Sequence, residues 1–238
     1  LEYQYKIIDQ RKFLELFKSD DDFYSRVSSI ELSFIRDTRD LFFSPTKGWF
    51  HLINLKYAGG PLLGGDNNFL KFDSDSRYYR SVSDWVLAFA LRTGYEQGLH
   101  STEEVISLER FYAGGSSTIR GYKERSLGET DEFGLNRGDI QLIFNTELRT
   151  PFQEIPLPKD GFWNYIPRYL GGAIFLDMGN VWNTFEQVKS RPVAYSVGLG
   201  IRVKTPLGPV RLDYAHPLEE KLNNKWSSGF YLGMGQMF

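Results

Sequence analysis

The sequence predicts an all-β protein, an antiparallel transmembrane β-barrel of which about ten strands are present. Three observations predict this fold. Apolar and polar residues alternate in segment after segment, many of these segments are long, and short and long connections follow one another in turn. Strands of soluble sheets are usually about 5–6 residues long, whereas a tilted strand needs ~9–11 residues to cross a bilayer.

The clearest alternation lies in residues 193–204, VAYSVGLGIRVK. The odd-numbered positions are all apolar, whereas the even-numbered positions are small or charged, which is the signal of a strand with two different faces. An arginine that faces lipid near the bilayer midplane costs about 2–4 kcal/mol. We therefore expect Val197, Leu199 and Ile201 to face lipid and Arg202 to face the lumen.

The same period of two recurs along the chain. It is clear in residues 1–8, 84–96, 139–150, 208–216 and 229–238, and weaker in residues 69–82. In the last strand the apolar face consists of Phe230, Leu232, Met234 and Phe238. Glycines occupy much of the opposite face, so this strand is also expected to have one apolar face and one face with few side chains.

The connections between these segments alternate in length. Residues 44–48, 81–84 and 205–209 form short, turn-rich connections, whereas the long ones are 58–69, 97–138, 183–192 and 217–226. Outer-membrane barrels are built with short periplasmic turns and longer outer loops. Residues 151–168 are an exception, because they fall on the short side but are long and rich in proline.

Aromatic residues near strand ends also favour a membrane barrel, because such residues anchor proteins at the membrane interface. The pairs are Trp49 and Tyr57, Trp85 and Tyr95, and Tyr231 and Phe238. A soluble β-sandwich also alternates, with its polar face in water, and it stays open as the alternative at this point.

Composition and motifs exclude several classes of function. The formal net charge is -2, which gives no basic face for nucleic acid, and there is no cysteine. The three histidines lie far apart, so a metal site is not expected. Nucleophile-elbow, zinc-protease and P-loop motifs do not occur in the sequence. We therefore expect no catalytic residues, no enzyme activity and no cofactor.

One loop gives the chain a family resemblance. FYAGGSSTIRGY, residues 111–122, resembles the signature loop of the BamA/TamA superfamily, also called the bacterial surface antigen family. The core of that signature is a β-branched residue, an arginine, a glycine and an aromatic residue, here Ile119, Arg120, Gly121 and Tyr122. Further segments resemble the family in the same order: 36–50, 138–152, 171–182, 197–218 and a last strand that ends in Phe238.

The resemblance implies an integral barrel of the bacterial outer membrane that contacts lipid and assembles, inserts or translocates client outer-membrane proteins. It implies about 16 strands, of which residues 1–238 are the C-terminal part as a single barrel domain, without a POTRA domain in this chain. POTRA domains and periplasmic or lipoprotein accessory subunits are the implied partners. A two-partner-secretion transporter and a patatin-fused barrel are alternatives within the superfamily, and a passive pore or structural barrel is the alternative outside it.

The resemblance also implies partners for Arg120, because it places the signature arginine against carboxylates at Glu147 and Asp177. The alternation puts both carboxylates on lumen faces of strands adjacent in sequence. A planar guanidinium can bond two acceptors at once. We expect the loop to fold back into the barrel and Arg120 to bond both; a solvated loop arginine is the alternative.

The last strand has an implied role of its own. By resemblance, Phe230, Leu232, Met234 and Phe238 form the signal by which assembly machinery captures the strand. Strand capture is physically reasonable because an unpaired edge offers backbone donors and acceptors to a partner strand. The alternative is that Phe238 only anchors the barrel at the membrane interface.

Overall fold

The fold is described here from a computed structural model. It describes residues 2–9, 24–100, 102, 105–106, 108–131, 134–156, 169–205, 208–219 and 228–238. The strands are β1 (Glu2–Asp9), β2 (Tyr24–Asp37), β3 (Gly48–Ala58), β4 (Phe69–Val82), β5 (Trp85–Gly98), β6 (Glu129–Thr130), β7 (Asn136–Arg137), β8 (Ile140–Arg149), β9 (Gln153–Glu154), β10 (Tyr169–Trp182), β11 (Ala194–Thr205), β12 (Gly208–Pro217) and β13 (Gly229–Met234). The helices within these ranges are short: α1 (Gly60–Leu63) and α2 (Phe185–Ser190).

The strands form one antiparallel sheet in the order β1-β2-β3-β4-β5-β8-β10-β11-β12-β13, with β9 beside β10. The hairpin of β6 and β7 stands apart, within the connection between β5 and β8. The predicted all-β antiparallel fold is therefore confirmed. Over the described residues no pairing joins β1 to β13, so the sheet is not closed. In the same residues no helix is long and apolar enough to cross a membrane.

Strand length follows the prediction, since β4, β5 and β10 each have 14 residues. The weak alternation in β4 has a simple cause. Its outer face carries Ser74 and Ser76 between larger apolar residues, and the Ser74 hydroxyl bonds the Thr93 hydroxyl of β5 at 2.8 Å. A satisfied hydroxyl can stand on the outer face without breaking the strand. The long strand β2 was not among the segments that alternation had singled out.

The lengths of the connections alternate only in part as predicted. Residues 83–84 and 206–207 are short, and 99–139, 183–193 and 218–228 are long. The connection 38–47, predicted as a short turn at 44–48, is as long as the connection 59–68. The exceptional segment 151–168 is described only to residue 156, where β9 pairs with the start of β10. The rest of that segment lies outside the described residues.

The two faces of β11 lie as the alternation indicates. Val197, Leu199 and Ile201 are 38%, 62% and 53% exposed on the outer surface, whereas Arg202 is 1% exposed on the inner one. A barrel that spans a bilayer has such an apolar outside and a polar inside. The apolar side chains of β13 continue this outer surface.

The end of the chain differs from the prediction. β13 ends at Met234, not at Phe238, and the backbone turns at Gly235, whose φ is 78°. Met237 and Phe238 then pack against lumen side chains of β4 and β5, among them Tyr79. Arg149 Nη2 donates a hydrogen bond to the main-chain oxygen of Phe238 at 3.0 Å. The prediction that Phe238 shares the outer face was wrong, because the positive φ at Gly235 interrupts the alternation.

Candidate functional site

The long connection between β5 and β8, residues 99–139, folds back into the lumen. Its apolar side chains pack against Ile143, Val181 and Ala194, which lie on β8, β10 and β11. The buried loop residues in this cluster are Phe111, Ala113, Ile119, Tyr122 and Leu127. Burial of apolar surface therefore holds the loop against one wall of the barrel.

Arg120 lies at the centre of this contact and its side chain is fully buried. Its Nε and Nη2 donate to the two carboxylate oxygens of Asp177 at 2.7 and 2.9 Å. Its Nη1 donates to Glu147 at 2.7 Å and to Asp213 at 2.9 Å. Both expected contacts are present. Asp213 of β12 is a third acceptor that the sequence reasoning had not assigned to Arg120.

Further arginines surround the same carboxylates. Arg149 Nε bonds Glu147 at 2.8 Å, and Arg202 bonds Asp213 and lies 3.5 Å from Glu147. With Arg211, whose Nε lies 4.0 Å from Asp213, four guanidinium groups thus face the three carboxylates on Glu147, Asp177 and Asp213. Buried ions need such pairing because their desolvation is costly. Arg202 therefore lies in the lumen, as the alternation predicts, where it bonds Asp213.

Electrostatics keeps Arg120 charged in its buried position. Burial alone disfavours the cation, but Asp177, Glu147 and Asp213 outweigh that effect and raise the pKa of Arg120 above its ordinary value. The guanidinium carbon also lies 3.3 Å from the centre of the Phe175 ring, a favourable position for a cation over an aromatic face.

The neighbours of Arg120 fix the loop backbone. Gly121 has a φ of 91°, and a Cβ there would lie 3.1 Å from the main-chain nitrogen of Pro217 and 3.2 Å from Ser196 Cβ. Glycine suits both the dihedral angle and the close approach. The hydroxyl of Tyr122 donates to the main-chain oxygen of Tyr195 at 3.2 Å, which ties the loop to β11.

Three further side chains hold the loop by its carbonyl oxygens. Arg211, Arg92 and Asn145 donate to the main-chain oxygens of Ser116, Ser117 and Thr118 in turn, at 3.1, 2.7 and 2.7 Å. These side chains come from β12, β5 and β8, three separate strands of the wall. Sequence reasoning missed this function, although the alternation does place Arg92, Asn145 and Arg211 on lumen faces.

The predicted residues of the last strand do not join this site. Phe230, Leu232 and Met234 are 73%, 75% and 67% exposed on the outer surface of β13. Phe238 lies inside the lumen, where it contacts Arg149 and so touches the edge of the charge cluster. Tyr231, counted above among the interface aromatics, points inward to the loop. Among the described residues no group of acidic or histidine side chains could hold a metal ion.

Comparison with known proteins identifies the family. The sequence model of the Omp85 superfamily domain matches residues 2–238. The chain belongs to the Omp85 superfamily. The resemblance to BamA-type barrels is thereby confirmed, and the lumen loop with Arg120 is part of an Omp85 domain.

Relatives with curated names come from bacteria, fungi, a plant and an animal. The chain is 31% identical to "Outer membrane protein assembly factor BamA" of Nitratidesulfovibrio vulgaris over 94% of this chain and 28% of that protein. It is 29% identical to a SAM50-like protein of Schizosaccharomyces pombe, over 87% of this chain and 44% of that protein. The chain therefore spans less than half the length of these relatives.

A solved structure shows the same fold. The crystal structure of BamA from Haemophilus ducreyi lacking POTRA domains 1-3 superposes with a TM-score of 0.70 at 19% identity. The match covers 97% of this chain and 48% of the other. The antiparallel sheet described above is thus similar to part of a BamA barrel.

Proposed function

We propose that this chain is the barrel region of an outer-membrane protein assembly factor, which inserts or translocates client outer-membrane proteins. The observation that carries the proposal is the occupied lumen, where Arg120 fixes the loop to three strands of the wall. A passive pore works through an open bore. Here the loop lies against the inner wall, so the wall and its edges are the surfaces that we assign to the client.

The last strand supports this proposal. β13 pairs with β12 over only six residues, Val210–Ala215 against Gly229–Met234, and the described residues place no strand on its other edge. Its outer side chains are apolar and exposed. A strand edge of this kind can template an incoming strand by main-chain hydrogen bonds. In the proposed function, Phe230, Leu232 and Met234 present this edge at the lipid surface.

The surroundings of the barrel are part of the proposal. Residues 1–238 form a single barrel domain in the outer membrane of a bacterium, in contact with lipid through the exposed apolar residues. POTRA domains and periplasmic or lipoprotein accessory subunits are the proposed partners, which the name of the Haemophilus ducreyi structure and the greater length of the relatives support. The carboxylates of Glu147, Asp177 and Asp213 are bonded to guanidinium groups, so we assign this site a role in holding the loop and not in catalysis.

Reconstitution tests the proposed function. The full-length protein that contains this region is placed in lipid vesicles, and an unfolded client barrel is added. We expect protease-resistant client to accumulate faster than in protein-free vesicles. Arg120→Ala should slow this insertion, whereas Arg125→Ala, which removes an exposed arginine of the same loop, should not. Leakage of small solutes without any client insertion would instead identify a pore.

A further inference from the structure

The last strand touches the lumen loop through one side chain, that of Tyr231. On the inner face of β13 the three residues are Gly229, Tyr231 and Gly233, because Phe230, Leu232 and Met234 occupy the outer face. Two of these three residues have no side chain. Any side-chain contact between the inner face of β13 and the loop must therefore be made by Tyr231.

The Tyr231 hydroxyl makes two hydrogen bonds, and both go to the backbone of the signature loop. It accepts from the Gly121 N–H at 2.9 Å and donates to the main-chain oxygen of Tyr122 at 3.2 Å. The single hydroxyl thus satisfies a donor and an acceptor on consecutive residues. A phenylalanine would fill the same space and satisfy neither group.

The register places this contact beside the arginine cluster. Tyr231 pairs directly with Asp213 on β12, and Asp213 accepts from Arg120. Gly233, the next residue on the inner face, leaves room for Arg211, since a Cβ there would lie 2.6 Å from its Nε. Arg211 in turn bonds the loop at Ser116. The inner face of β13 therefore fits closely against the bound loop and against the side chain of Arg211.

We propose that Tyr231 is a positioning residue that couples the seating of the loop to the pairing of β13 with β12. When Arg120 is bonded to its carboxylates, the hydroxyl of Tyr231 bonds the backbone of Gly121 and Tyr122, and β13 stays paired with β12. When the loop moves away from the barrel wall, the Tyr231 hydroxyl loses both hydrogen bonds, and β13 separates from β12 more readily. Coupling of this kind is reciprocal, so loosening β13 also loosens the loop.

Hydrogen exchange of the full-length protein in lipid nanodiscs tests this coupling without any client. Tyr231→Phe should speed amide exchange in residues 229–234 about tenfold, since each neutral hydrogen bond contributes about 0.5–1.5 kcal/mol. Exchange in β3 and β4 should not change. The matched control is Tyr214→Phe on β12, whose ring faces outward and which should leave β13 unchanged.

A second pair of variants separates coupling from simple loss of stability. Arg120→Lys should also speed exchange in β13, and the double variant with Tyr231→Phe should exchange more slowly than the product of the two single effects predicts. Unchanged exchange in β13 for Tyr231→Phe, equal acceleration in β3 and β4, or strictly multiplicative effects would each overturn the proposal. Because no client is present, the result does not depend on whether the proposed assembly function is correct.

Discussion

Two charge clusters join the lumen loop to the barrel wall, and they are built differently. The tip cluster centres on Arg120, whose guanidinium bonds three carboxylates at 2.7–2.9 Å. The root cluster lies where the loop meets β3–β5, and its ionisable side chains are Lys56, Lys71, Glu96, Glu109, Arg110 and Asp139. Both clusters are largely buried, so exposure does not distinguish them.

The geometry of the bonds does distinguish them. In the root cluster Lys56 bonds Glu109 at 2.8 Å and Arg110 Nε lies 2.7 Å from Asp139. Lys71 Nζ and Arg110 Nε, however, each lie 3.9 Å from Glu96. Neither carboxylate oxygen of Glu96 receives a hydrogen bond from the described residues. A guanidinium fork fits several acceptors in one plane, whereas an ammonium is a point charge. The comparison teaches that each of the three tip carboxylates is hydrogen-bonded by a guanidinium group, whereas Glu96 of the root cluster is held without a hydrogen bond from the described residues.

The largest effect is expected at the centre of the tip cluster. Arg120→Ala leaves buried carboxylates without their shared partner and should lower the free energy of unfolding by about 3–5 kcal/mol. Arg120→Lys should recover only a small part of this loss, because lysine lacks the fork. Urea unfolding of the barrel in detergent micelles measures both variants. A loss below that of an exposed-arginine control, Arg125→Ala, would mean that the tip is not fixed as described.

A smaller effect is expected from the backbone beside it. Gly121→Ala places a Cβ against the main chain of Pro217 at a φ of 91°, and strain of this kind costs about 1–3 kcal/mol. The same unfolding measurement applies. Gly134→Ala is the matched control, since Gly134 also has a positive φ, 76°, but no atom lies within 4 Å of its added Cβ. Equal losses of unfolding free energy in the two variants would show that the close contact of residue 121 with β12 contributes nothing to stability.

Coupling energies compare the two clusters directly. A double-mutant cycle of Arg120→Ala with Asp177→Ala should give a coupling of about 0.5–3 kcal/mol, as residues in one bonded network do. The corresponding cycle of Lys71→Ala with Glu96→Ala should give less, because those two groups lie 3.9 Å apart without a hydrogen bond. Additive effects at the tip, or stronger coupling at the root, would reverse the comparison.

The smallest effect is expected at Glu96. Glu96→Gln keeps the shape of the side chain and replaces a buried carboxyl group that accepts no hydrogen bond from the described residues. The free energy of unfolding should change by less than about 1 kcal/mol, because no bond is lost. Glu147→Gln in the tip cluster is the comparison variant and should cost more. If the two substitutions lower the free energy of unfolding equally, the carboxyl groups of the root and tip clusters contribute equally to stability, contrary to this prediction.

Part of this arrangement follows from sequence alone. Period-two alternation assigns Glu147, Asp177 and Arg202 to the lumen, and the loop resemblance assigns Arg120 to the first two. The role of Asp213 was missed because alternation gives the face of a residue but not its depth along the barrel axis. Depth is set by register between strands, and the register places Asp213 beside Tyr231 and opposite Gly200.

The errors also have physical causes. The alternation of residues 229–238 predicted one continuous strand, but Gly235 adopts a positive φ and sends Phe238 inward. Tyr231 was grouped with interface aromatics because its residue type is common there. Its true position depends on a hydroxyl finding partners in a distant loop, and contacts separated by more than one hundred residues leave no periodic signal in the sequence.

The inward turn of the tail determines where the protein can be labelled. Residues placed after Phe238 would begin inside the barrel, beside a cavity of about 280 Å³ lined by Phe42, Phe43 and the tail itself. Arg149 donates to the main-chain oxygen of Phe238, so a folded tag joined to Phe238 would compete with this contact. The outer connection at residues 183–193 carries exposed side chains, including Phe185, and gives an affinity tag or fluorophore a position away from the contacts of the tail with Arg149 and Tyr79.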